Sequence, residues 1–185
     1  MKFIKFFIII FIALTSLVKA DLDKNLTNEL KDGGKLIFIR HAYAPGGGDP
    51  KNFNLNDCST QRNLSNEGRN QAKYIGEIFR KNKIKIDKVL SSEWCRCKDT
   101  SSLAFGIYET KNFLNSFYSS KFAKNKRSQM KNLMKYIKNF ESKKNLILVT
   151  HYVVISETLN YARSSGEIVI SDKKFNIVGT FKTNY

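Results

Sequence analysis

Two short apolar runs in this chain each lead straight into a histidine, and the chain has only two histidines. The first reads Leu36-Ile37-Phe38-Ile39-Arg40-His41, the second Leu146-Ile147-Leu148-Val149-Thr150-His151. Compact apolar runs of this length are strand-like, and residues 86–90, ending at Ser91-Ser92, form a third. Segments of helical spacing lie between them. Leu22, Leu26 and Leu30 mark a short helix over 21–31, closed by Gly33-Gly34. Ser65 is an N-cap for a helix whose inner face carries Ala72, Ile75, Ile78 and Phe79. A further helix follows over 93–105. Another spans 121–141 on Met130, Leu133, Met134, Ile137 and Phe140, and one follows the strand that leads into His151 and runs through Tyr161. Residues 166–170 and 175–181 read as a closing pair of strands around Asp172-Lys173-Lys174. Residues 106–120 show no clear period. The alternation predicts an α/β fold: a three-layer α/β/α sandwich with a mainly parallel central sheet.

The first twenty residues are expected to stand outside that fold. Lys2 and Lys5 precede an apolar run, Phe6 through Leu14, and Val18-Lys19-Ala20 offers a small residue for cleavage before Asp21. That is the layout of a secretory signal peptide, which divides the chain into a leader, 1–20, and one domain, 21–185. A retained anchor is the other reading, but the run is short and broken by Thr15 and Ser16. The expectation is a secreted or periplasmic protein with no stable membrane anchor after cleavage. Loss of three leader lysines lowers the formal charge from +16 to +13. So basic a balance favours anionic partners, although lysines occur in nearly every segment. A nucleic-acid binder is not expected, because no module of stacking aromatics is visible.

Three cysteines, Cys58, Cys95 and Cys97, suit a disulfide in an oxidising compartment. Cys95 and Cys97 are too close in the chain to pair well, so Cys58 is expected to bridge one or the other. With two histidines on separate strands, no metal-ligand spacing appears, and neither metal nor cofactor is expected.

Ligands of open α/β sheets bind beyond the carboxyl ends of the strands. If the two histidine strands are neighbours, both imidazoles and the arginines Arg40 and Arg96 share one crevice. Guanidinium forks match phosphate oxygens. A neutral imidazole can attack phosphorus, and nearby arginines keep it neutral. Such a cluster suits a small anionic phosphorylated substrate.

At this point the chain resembles the histidine phosphatase superfamily, with its phosphoglycerate-mutase-like fold. Arg40-His41-Ala42 is similar to the family's Arg-His-Gly signature. Gln61-Arg62-Asn63-Leu64-Ser65, with Gly68-Arg69 and Gln71-Ala72, resembles its first-helix entry. The block from Ser91-Ser92 through Arg96 to Thr100 and the strand end Val149-Thr150-His151 complete the match, in order, over essentially the whole mature chain. The resemblance implies an exported, metal-independent phosphatase hydrolysing a phosphomonoester through phosphohistidine. It makes His41 the nucleophile and Arg40, Arg96 and His151 the rest of the catalytic phosphate pocket.

One position departs from the pattern. Leu114-Asn115-Ser116 resembles a segment in which the third residue is a glutamate that protonates the leaving oxygen, and Ser116 is no comparable acid. Glu109, Asp49 and Asp57 lie in nearby loops, and spacing does not choose among them. The missing glutamate also motivates an alternative: a non-catalytic module that binds a phosphorylated ligand in the same pocket. Two further features carry alternatives of their own. Gly46-Gly47-Gly48 suits either an anion-wrapping loop or a flexible one, and the lysine-rich 121–141 helix suits either the core or a membrane surface.

Overall fold

The computed structural model describes residues 22–161 and 164–183. The expected leader, residues 1–20, lies outside them. No helix among the described residues is long and apolar enough to cross a membrane.

Helix α1, Lys24–Asp32, starts where the Asp23 carboxylate accepts the Leu26 N–H at 2.8 Å and stops at Gly33, whose φ of 77° suits glycine. Strand β1, Leu36–Arg40, follows. Helix α2, Asn66–Lys81, is capped by Ser65 as expected, its hydroxyl accepting the Gly68 N–H. Next come β2, Ile86–Ser91, and α3, Cys95–Phe105. The ambiguous stretch supplies a two-residue strand, β3, Glu109–Thr110, and a 3-10 turn, Asn112–Leu114. A strand that short has no period to detect.

The helix expected over 121–141 is broken in two: α4, Ser120–Ala123, and α5, Lys126–Lys138. The break lets the two pieces serve different partners. Phe122 of α4 lies edge-on to Trp94 at 5.4 Å, while Leu133 and Ile137 of α5 are buried against the sheet. The apolar stripe therefore belongs to the core and not to a membrane surface. Strand β4, Asn145–Thr150, helix α6, Tyr152–Leu159, and the hairpin β5, Ile168–Ser171, with β6, Ile177–Phe181, complete the chain.

Among the described residues the sheet has six strands, in the order β3-β2-β4-β1-β5-β6. The first four run parallel, and the closing hairpin is antiparallel, β5 to β1 and β6 to β5. Alternation along each strand splits the core in two. Ile37 and Ile39 with Ile147 and Val149 meet Leu30, Ile75 and Phe79 of α1 and α2. Leu36 and Phe38 with Leu146 and Leu148 meet Leu133 and Ile137 of α5 and Val154 and Ile155 of α6. Both faces are covered, which makes the three layers. Each fully buried Leu or Ile contributes roughly 1.5–3 kcal/mol.

Helix α2 approaches α3 closely through Gly76. A Cβ there would fall 2.1 Å from the Ala104 carbonyl oxygen. Backbone would have to shift, so Gly76→Ala is expected to cost about 1–3 kcal/mol, read as a lower midpoint in urea unfolding.

Candidate active site

β1 and β4 are hydrogen-bonded neighbours in register, Arg40 beside Thr150. The ladder extends one residue further, the His41 N–H donating to the Thr150 carbonyl at 2.9 Å. The two histidines therefore leave the sheet side by side, their rings 5.5 Å apart and edge to face. On the other side of β4 the Ser92 N–H donates to the Val149 carbonyl at 2.9 Å, so the end of β2 joins the same edge. Helices α3 and α6 begin there, and their N-terminal ends favour negative charge.

The hydrogen bonds assign the protons. His41 Nδ1 lies 2.8 Å from the Ala42 carbonyl, which can only accept. Nδ1 thus carries the hydrogen, and Nε2 keeps its lone pair. Ser92 Oγ donates to the side-chain Oδ1 of Asn115 at 3.0 Å and lies 3.0 Å from His151 Nε2, which accordingly donates to it. Burial first, then the charge of Arg96, holds both imidazoles well below their ordinary pKa. Arg40 and Arg62 push the same way, and only the Ala42 hydrogen bond opposes them at His41.

The four expected residues, Arg40, His41, Arg96 and His151, line one cavity of about 560 Å³. Arg40, the last residue of β1, carries its guanidinium carbon 5.4 Å from the ring centre of Tyr152. Arg96 stands in the first turn of α3 with its side chain only 4 % exposed. Its two terminal nitrogens meet the two oxygens of Asp49, Nη1 to Oδ1 at 2.7 Å and Nη2 to Oδ2 at 3.2 Å. Asp49 also accepts the Trp94 indole N–H at 3.0 Å and the Arg62 backbone N–H at 3.2 Å. Burial raises the Asp49 pKa, but the hydrogen bond and charge of Arg96, with those two donors, outweigh it and hold the carboxyl below its usual value.

Arg62 is a cavity residue that the sequence reading did not single out. Its side chain donates from Nε to the Gly48 carbonyl at 2.9 Å and from Nη1 to the Ala44 carbonyl. It grips the glycine loop from inside and brings a third guanidinium to the cavity. Its place in the Gln61-Arg62-Asn63 block was the one available signal. Of the acid candidates, Asp49 alone lines the cavity. Glu109 sits on the exposed edge strand with Lys88 and Lys111, and Asp57 caps an exposed 3-10 turn. Ser116 lines the cavity as well.

Cys58 pairs with Cys95, whose Cα atoms are 5.7 Å apart. The bridge ties the loop that carries Asp49 and Arg62 to the start of α3. Beside it, Gln61 Oε1 accepts the Cys95 N–H at 2.9 Å. Cys97 stays a buried free thiol, 3.5 Å from His151 Nε2, and burial pushes its pKa up to about 12.

The bridge closes a 37-residue span, so Cys58→Ser is expected to lower unfolding free energy by roughly 3–4 kcal/mol, measured by denaturant titration. The histidines set a pH dependence. Below about pH 6.5 the unfolded histidines bind protons that the native ones refuse. Stability should therefore fall as pH drops from about 6.5, by up to about 1.4 kcal/mol per unit for each histidine. Urea melts between neutral and mildly acidic pH would show it, and the double variant His41→Asn/His151→Asn should flatten the slope.

No family model matches this chain, nor does any curated protein. Solved structures do. The protein histidine phosphatase SixA complexed with tungstate superposes with a TM-score of 0.51 at 12 % identity, over 82 % of this chain and 94 % of that one. A phosphoglycerate mutase from Thermus thermophilus gives a TM-score of 0.59 at 13 % identity, over 81 % of this chain and 99 % of that one. The fold is phosphoglycerate-mutase-like.

Proposed function

We propose that this chain is an exported member of the histidine phosphatase superfamily, hydrolysing a phosphomonoester through a phosphohistidine on His41. One observation carries the reading: His41 Nδ1 is tied to the Ala42 carbonyl, so the lone pair of Nε2 is free inside a cavity walled by three arginines. Solved structures of the same fold support it. One of them is a protein histidine phosphatase holding tungstate, a tetrahedral oxyanion of phosphate's shape.

The reaction divides between named groups. His41 Nε2 attacks phosphorus, kept unprotonated by burial and by the arginines around it. Arg40, Arg62 and Arg96 supply the positive charge that stabilises the equatorial oxygens as the bond to the leaving group breaks. His151 faces His41 across the pocket, held by Ser92, and is a further donor to those oxygens once a bound anion raises its proton affinity. The ends of α3 and α6 add two positive helix dipoles. A small anionic phosphorylated compound fits the cavity's size and charge. The leader-like residues 1–20 and the Cys58–Cys95 bridge support export.

His41→Ala is expected to abolish turnover of p-nitrophenyl phosphate, and Arg62→Ala to lower kcat/KM by about 100-fold. A rapid denaturing quench with labelled substrate should trap acid-labile label on His41. Phosphate binding without any hydrolysis would instead favour the non-catalytic module, the reading that Ser116 in place of an acid motivates.

A further inference from the structure

A phosphomonoester with a poor leaving group needs an acid at its ester oxygen, and Ser116 offers none. Among the described residues, Asp49 is the one carboxylate on the cavity wall. Its position is unusual for an acid, since both oxygens lie on the terminal nitrogens of Arg96. A guanidinium presents that pair of donors equally well to two oxygens of a phosphate. The carboxylate thus stands where a substrate's oxygens would bind. It is also the more exposed partner, its side chain 18 % accessible against 4 % for Arg96.

We infer that Asp49 is the general acid of this site, held on Arg96 until a substrate phosphate displaces it. The inference rests on the phosphatase reading above. The local backbone suits such an exchange. Asp49 follows Gly46-Gly47-Gly48, in which Gly46 and Gly48 have φ of 85° and 72°, and Gly47 and Gly48 have open space where a Cβ would stand. The Arg62 side chain holds the loop by the Gly48 carbonyl, one residue before Asp49, so the loop stays docked while the carboxylate turns away from Arg96 and from the Trp94 and Arg62 N–H donors.

The exchange also explains how the acid acquires a proton. On Arg96 the carboxylate is an acceptor only. Displaced, it loses its cation and lies beside an anion, which favours the protonated form. A phosphomonoester bound as the monoanion brings the proton, and Asp49 takes it. As the P–N bond to His41 Nε2 forms and the P–O ester bond breaks, Asp49 passes that proton to the departing oxygen and an alcohol leaves. In the second half Asp49 accepts a proton from water, the hydroxyl attacks phosphorus, and the P–N bond breaks. Asp49 returns that proton as orthophosphate departs, and goes back to Arg96 as a carboxylate.

The test compares wild type with Asp49→Asn on two esters, glycerol 2-phosphate and p-nitrophenyl phosphate, and measures orthophosphate binding by calorimetry. Loss of the acid should lower kcat/KM on the glycerol ester about 100-fold and on the nitrophenyl ester no more than several-fold, because nitrophenolate leaves without protonation. Orthophosphate should bind several-fold more tightly, since the competing carboxylate is gone. Asp49→Glu should recover part of the loss on the glycerol ester. Equal losses on both esters, or weaker orthophosphate binding, would mean that Asp49 merely orients Arg96 and would overturn the inference alone. Wild-type protein that turns over neither ester, or His41→Ala that still does, would overturn the phosphatase reading and this one with it.

Discussion

The hydrogen bond from the His41 N–H to the Thr150 carbonyl, continuing the β1–β4 ladder past the strand ends, is the constraint on which the site depends. Parallel strands in register deliver their carboxyl ends at one level, so His41 and His151, distant in the chain, emerge side by side. A one-residue slip would send one imidazole to the opposite face of the sheet. The register is secured by burial on both faces: Leu36, Ile37, Phe38 and Ile39 are fully buried, as are Leu146, Ile147, Leu148 and Val149. At the other end of the pair, Asn145 accepts the Lys35 N–H and donates to the Leu30 and Lys85 carbonyls, closing the backbone groups there.

Around that fixed pair, the pocket is assembled from loops that the sheet does not itself hold. Gln71 of α2 accepts the Tyr43 N–H and donates to Ser165 and Thr183, fastening the segment after β1 to the segments that flank the closing hairpin. Gly68 permits the start of α2 to meet the Tyr43 carbonyl, where a Cβ would lie 1.9 Å away. Gln61, Arg62 and the disulfide then fasten the glycine loop to α3. Arg62 and Arg96 are thus positioned by hydrogen bonds to loop carbonyls and to Asp49, with one covalent bond beside them.

Much of this is legible in the chain. The histidine strands, the Ser65 cap and the closing hairpin each carry their signal locally, in a period or a capping residue. The cysteine pattern narrows the bridge to two partners, and the fold selects Cys95. What escapes is non-local. Strand β3 is two residues long and exists by pairing with β2. The 121–141 helix breaks at Lys124 and Asn125 because Phe122 and Leu133 answer to different neighbours. Asp49, Asp57 and Glu109 look alike along the chain, and only folding brings one of them to the cavity. Arg62 has the same explanation: its partners are carbonyls 14 and 18 residues away.

An odd thiol next to a disulfide usually invites scrambling, since a thiolate attacks neighbouring sulfur and reshuffles the pairing. Here Cys97 lies two residues from the bridged Cys95. Its burial suppresses ionisation so strongly that almost none of the attacking species exists near neutral pH. The same apolar packing that seats the sulfur beneath His151 therefore makes it chemically silent, and an unpaired cysteine can persist in an oxidising milieu without eroding the covalent tie beside it.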